Sequence, residues 1–200
     1  PDTGKPWRAG FDLLAIQTEE RMLQAAIYVV CAYLTGMRDS EVQAMQAGCC
    51  RSIRGEDGVV ERHRIRSITY KGRRAAPEQA DWVTIEPVAN AVSVLHRLTA
   101  RVRNADGEDG LWRVLHPKTY SKTHISAEIV RTLNHFRDHL NAQFGAPDTP
   151  IIPPGPDGRP WRITTRQFRR TIAWHIANRP FGAVAGMIQY KHASVAAFEG

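Results

Sequence analysis

The stretch QTEERMLQAAIYVVCAYLTG, residues 17–36, places Met22, Leu23, Ala26, Ile27, Val30 and Leu34 at helical spacing. A stripe about three turns long cannot be buried by a helix alone, so other elements must cover it. Thr18 is placed to cap this helix, Glu19 and Glu20 to occupy its first turn, and Gly36 to end it. DSEVQAMQAG follows as a short helix, with Asp39 or Ser40 as cap and Gly48 as stop. Residues 59–87 change character: VVERHRIRSITY and DWVTIEP are rich in β-branched residues and read as two antiparallel strands, joined by the basic loop KGRRAAPEQA. Residues 88–103 are helical, with Val92, Leu95 and Leu98 inward, and residues 126–145 form a helix between a Ser126 cap and a Gly145 stop. APDTPIIPPGPDGRP holds six prolines and must be a loop. A helix then starts near Thr164, and FGAVAGMIQY and ASVAAFEG give two short last helices. The pattern predicts a mainly α chain with a small antiparallel β-sheet, an α+β class. Residues 1–16 read as a linker or lead-in segment, and residues 17–200 as one domain that includes the Pro-rich loop.

No apolar run approaches the roughly 20 residues of a membrane helix, and the N-terminus lacks a signal-peptide layout, so the expected compartment is the cytoplasm. Cys31, Cys49 and Cys50 form no disulfide framework and read as free thiols. The net charge of +7 suits a large anionic partner, and the last fifty residues hold seven basic against two acidic side chains. His135 and His139 have a helical metal-ligand spacing but no evident third ligand, so no metal or other cofactor is expected.

That basic last quarter contains TTRQFRRTIAWH, residues 164–175, which puts Arg166, Arg169 and Arg170 where a helix begins. Cations there face the positive end of the helix dipole, which costs some tenths of a kcal/mol each. Beside free backbone N–H groups, however, they make a site for a phosphate. Arg38 also lies just before a helix start. Guanidinium suits charge growing on phosphate oxygens, because its fork matches two oxygens and it keeps its proton.

Three boxes taken together resemble the catalytic domain of the tyrosine recombinases, the phage-integrase family. The first is Thr35-Gly36-Met37-Arg38-Asp39-Ser40-Glu41-Val42, the second runs from Arg166 to His175, and the third is Tyr190-Lys191-His192-Ala193-Ser194. The seventeen positions from His175 to His192 match the family spacing. The resemblance implies that Arg38 and Arg169 clamp the scissile phosphate and that Glu41 orients the first arginine. It implies that Lys71, in TYKGRR, protonates the leaving 5′-oxygen, and that His192 bonds the phosphate or assists proton transfer. Arg166, Arg170, Arg73 and Arg74 are expected to hold phosphate or DNA backbone. Arg166 stands where the family usually has histidine, so a possible acid–base partner is replaced by a permanent cation. His175 matches a mainly structural family histidine.

The implied activity is site-specific cutting and rejoining of double-stranded DNA through a 3′-phosphotyrosyl intermediate, by a homotetramer on paired sites, without metal, nucleotide or small-molecule substrate. The alternatives are a non-catalytic DNA-binding module derived from a recombinase, or a type IB topoisomerase. In the family the nucleophilic tyrosine follows the third-box histidine by about nine positions, which from His192 falls just past Gly200. These 200 residues are therefore expected to bind DNA, at the nucleoid, without forming an adduct. Lys71 carries the sharpest test at this level. If it is the general acid, a 5′-thio leaving group, which needs no proton, restores cleavage to Lys71→Ala in the complete enzyme. Failure of that rescue would make Lys71 a phosphate contact only.

Overall fold

The computed structural model describes residues 10, 13–56, 58, 60–69, 76–115, 126–146, 148–192 and 194–199. Among them are seven helices and a three-stranded sheet. The helices are α1 (Leu13–Thr35), α2 (Asp39–Gln43), α3 (Glu86–Asp106), α4 (Ser126–Phe144), α5 (Thr165–Ala177), α6 (Gly182–Gln189) and α7 (Val195–Glu199). The strands are β1 (Cys50–Arg54), β2 (Val60–Thr69) and β3 (Glu78–Thr84), paired antiparallel in the order β1-β2-β3. The mainly α class with a small antiparallel sheet is thus the architecture present.

Helix α1 is the axis of the molecule. It packs against α3, α4 and α5, and its Ala25, Ile27, Tyr28, Cys31 and Ala32 are buried with Val92 and Leu95 of α3 and Ile129 and Leu133 of α4. The sheet adds Ile65 and Trp82, both fully buried and directly opposite each other in register. No helix among the described residues is long and apolar enough to cross a membrane.

Several local readings are corrected. Helix α1 begins at Leu13, so Thr18 lies inside it and residues 13–16 are helical rather than linker. Leu23 of the apolar stripe is 43% exposed, because the buried face is centred on Ala25, Tyr28 and Ala32. Arg38, not Asp39 or Ser40, is the N-cap of α2. That helix stops at Gln43, and Gly48 (φ +74°) instead serves the turn into β1. Strand β1 is a third strand where two were expected. Its sequence, CRSIR, is short with two arginines in five residues, and it pairs only because β2 offers it an edge.

Two features aim the chain at the site. Gly36 ends α1 with φ +67°, and its backbone lies flat against the Tyr190 ring, where a Cβ would come within 2.6 Å of the ring and its hydroxyl. The Pro-rich loop is tied to α4 by its polar face. Asn141 exchanges two hydrogen bonds with the Ile152 backbone (3.0 and 2.8 Å), and Asn134 does the same with Ile163 (2.9 and 3.1 Å). Arg137 donates to the Trp161 carbonyl at 2.6 Å. The loop ends where α5 starts, so these bonds fix the position of the α5 N-terminus.

Gly36→Ala combines a left-handed backbone with a collision against a buried ring that cannot withdraw. The expected loss is about 2–4 kcal/mol in denaturant unfolding. A loss below about 0.5 kcal/mol would mean that Tyr190 does not pack there.

Candidate functional site

The first arginine is placed by its own backbone. Arg38 N–H donates to Glu41 Oε2 at 2.6 Å, and Arg38 Nη1 donates to Glu41 Oε1 at 2.7 Å. Glu41 is completely buried, yet it is well supplied with donors. Thr69, the last residue of β2, donates its hydroxyl to Oε1 at 2.8 Å. Ser67 donates to the Glu41 carbonyl at 2.6 Å, so the sheet and α2 are joined around this carboxylate.

The second arginine arrives from the other end of the sequence. Arg169 projects from α5, and its Nη1 donates to the Gly36 carbonyl at 2.5 Å while lying 3.9 Å from Glu41 Oε2. Its Nη2 donates to the Tyr190 carbonyl at 3.3 Å, and its guanidinium sits 4.1 Å above the centre of the Tyr190 ring. Nη2 is also 3.3 Å from His192 Nε2. Arginine only donates, so in this arrangement Nε2 accepts and the imidazole proton sits on Nδ1. The Tyr190 hydroxyl donates back to the Arg169 carbonyl at 3.0 Å.

Arg38 and Arg169 therefore share one carboxylate and open onto one cleft. The cleft, about 510 Å³, is lined by Met37, Arg38, Asp39, Ser40, Ser126, Thr165, Arg166 and Arg169. Three cations line it against Asp39, with Glu41 behind, so one positive charge is uncompensated. Burial, and then the neighbouring Arg38, push Arg169 down to about 10, with Glu41 opposing them. A base whose folded pKa lies below its unfolded value destabilises the fold while charged. That penalty is present below pH 10 and is relieved as pH rises above it. An anion in the cleft would relieve it at neutral pH.

The remaining sequence-nominated residues divide. Arg166 is exposed and lines the cleft, whereas Arg170 is exposed and does not. His192 is joined to the cluster through Arg169 and is not part of the cleft wall. Lys71, Arg73 and Arg74 lie outside the described residues, and β2 delivers the chain to Thr69 beside Glu41 just before them. Two residues were missed. Asp39 accepts from Tyr28 of α1 at 2.6 Å and from Ser126 of α4, tying three helices at the cleft wall. Tyr190 is the aromatic floor under Arg169. Its position two residues before a box histidine was the only available hint.

No protein-family model matches the chain, and no curated protein matches it by sequence. Among solved structures, that of a XerA recombinase superposes with a TM-score of 0.52 at 13% identity, covering all of this chain and 60% of that one. At this identity the likeness is one of fold. It agrees with the architecture that the three boxes implied, and the chain spans about 60% of the length of that recombinase.

Glu41→Ala leaves two guanidinium groups facing each other without their shared carboxylate, and the Thr69 hydroxyl without its acceptor. Removing one partner of a buried pair costs about 3–5 kcal/mol. Chemical denaturation of Glu41→Ala should show that loss, and a change under about 1 kcal/mol would place Glu41 in solvent rather than at the hub.

Proposed function

We propose that this chain is the catalytic domain of a site-specific recombinase that breaks and rejoins double-stranded DNA. One observation carries the reading: Arg38 and Arg169, 131 positions apart in sequence, meet on one buried carboxylate at the wall of one cleft. Surface charge alone would favour any polyanion. A pair of guanidinium groups held this firmly favours a single phosphate whose charge changes during reaction.

In this reading the scissile phosphodiester enters the cleft with its non-bridging oxygens toward Arg38 and Arg169. Charge accumulates on those oxygens as a tyrosyl oxygen attacks phosphorus, and the fixed donors meet it without reorganising. His192 holds Arg169 from behind the cleft wall. Lys71 delivers the proton to the departing 5′-oxygen. The phosphotyrosyl bond conserves the energy of the broken one, so rejoining needs neither nucleotide nor metal. Arg166 adds a further cation at the α5 N-terminus. Four copies on paired sites complete the exchange.

The tyrosines near the clamp are poor nucleophiles. Tyr190 is 2% exposed, burial pushes its hydroxyl well above the usual tyrosine range, and the hydroxyl donates to the Arg169 carbonyl. Tyr28 is equally buried and donates to Asp39. In this reading Tyr28 and Tyr190 brace the clamp and do not attack.

Two measurements test this together. The 200-residue chain should bind duplex DNA, and Arg169→Ala should weaken binding modestly, lowering the slope of log K against log salt by about one. With a suicide duplex, this chain should yield no covalent adduct. An adduct through Tyr28, Tyr190 or another of its tyrosines would overturn the assignment, and loss of all binding in Arg169→Ala would make that arginine structural. Duplex binding absent from the unaltered chain would remove the recombinase reading itself.

A further inference from the structure

Strand β2 alternates strictly. Ile65, Ser67 and Thr69 are buried against the body of the protein, so Arg62, Arg64 and Arg66 point the other way. Across the strands, Arg51 stands directly opposite Arg64, Ile53 opposite Arg62, and Asp81 opposite Arg66. Paired residues share a face, so Arg51, Arg62, Arg64 and Arg66 lie together on the outer surface of the sheet. Asp81 is the one carboxylate among the paired positions of that surface, and Arg66 takes it in a two-pronged bond at 3.0 and 3.2 Å. Arg51 and Arg62 are exposed, and Arg64 Nε is shielded from solvent with no hydrogen-bond partner among the described residues. Like charges directly opposite each other weaken a sheet, so the Arg51–Arg64 pair works against the stability of the fold. A cleft at one end of this face is lined by Arg51, Arg66, Gln46 and Gln79.

The face lies across the sheet from the phosphate clamp, whose Glu41 is met by the inward-facing Ser67 and Thr69. Strand β2 ends at Thr69 on Glu41, and Lys191, next to His192, donates its ammonium to the Asp81 carbonyl. At about 3.3 Å per residue, outward arginines recur every ~7 Å and the row extends ~13 Å from Arg66 to Arg62. A duplex carries one phosphate per ~3.4 Å of axis on each strand, so that length follows about four base pairs. Evenly spaced cations suit a polyanion of regular charge spacing better than a protein partner, whose interface cores are depleted in charge.

We propose that the outer face of the sheet, through Arg51, Arg62 and Arg64, holds the sugar–phosphate backbone of duplex DNA at a surface separate from the cleft of Arg38 and Arg169. This rests on the DNA reading above and adds a second contact surface to it. The contacts are to phosphates, so they should carry no base preference.

The test is the salt dependence of duplex binding by the full chain, followed by fluorescence anisotropy on a 30-base-pair duplex of random sequence. Replacing Arg51, Arg62 and Arg64 together by serine should lower the slope of log K against log salt by about 2–3, at roughly 0.9 per lost contact. Arg97→Ser, an exposed arginine on α3, should leave it unchanged. Because the triple variant removes a cross-strand repulsion, it should melt no lower than the unaltered chain. If it does melt lower, the single variant Arg62→Ser decides, with an expected slope change of about one. An unchanged slope in the sheet variants, with the expected drop in Arg169→Ala, overturns this inference and leaves the clamp reading standing. No drop in either set overturns both. An unchanged duplex slope with lost binding to polyglutamate would assign the face to an acidic protein and also overturn it.

Discussion

A buried carboxylate organises this protein. Glu41 has no exposed surface, yet it accepts from the Arg38 backbone, the Arg38 guanidinium and Thr69, and lies 3.9 Å from Arg169. An ionised carboxylate in such a place is tolerable only when paired and hydrogen-bonded on both oxygens. Each partner comes from a different part of the chain: the turn after α1, the end of β2, and α5. Satisfying one charge therefore forces three segments to meet, and their meeting point is the cleft wall. The arrangement leaves the site short of negative charge, which makes an anion the natural third partner.

The rest of the structure limits how far that meeting point can move. Helix α4 fixes the approach of α5 through Asn134, Arg137 and Asn141, whose side chains hold the backbone of the intervening Pro-rich loop. Tyr190 closes the other side. It supports the Arg169 guanidinium on its ring, donates to the Arg169 carbonyl, and fills the space that Gly36 leaves by having no side chain. Gln189 donates to both Thr35 and Val83, tying α6 to the end of α1 and to β3. Such bracing fixes the donors of the cleft before an anion arrives.

Much of this was legible in the sequence, for identifiable reasons. The α1, α3 and α4 patterns are long and periodic, and Gly36 and Gly107 terminate α1 and α3 in the left-handed conformation that glycine tolerates. Arg38, Glu41 and Arg169 were nominated by box spacing, and the fold brings those three together. What was not read from local pattern was the strand CRSIR, whose pairing depends on a neighbour, or the true start of α1, because the apolar stripe was followed only from Met22 although Asp12 stands directly before Leu13 in the sequence. Asp39 and Tyr190 were missed because their roles are relational. An aspartate at a helix start looks like a cap, and a tyrosine beside a box looks incidental, until Tyr28, Ser126 and Arg169 are seen against them.

The central claim is that Glu41 holds Arg38 and Arg169 around a single phosphate. A crystal structure of the protein grown with millimolar inorganic phosphate or tungstate addresses it directly. The account predicts one tetrahedral anion in the cleft, within hydrogen-bonding distance of both guanidinium groups, with Glu41 still bonded to Arg38 behind it. Anions bound only at scattered surface sites, or Arg38 and Arg169 turned to separate faces, would contradict it.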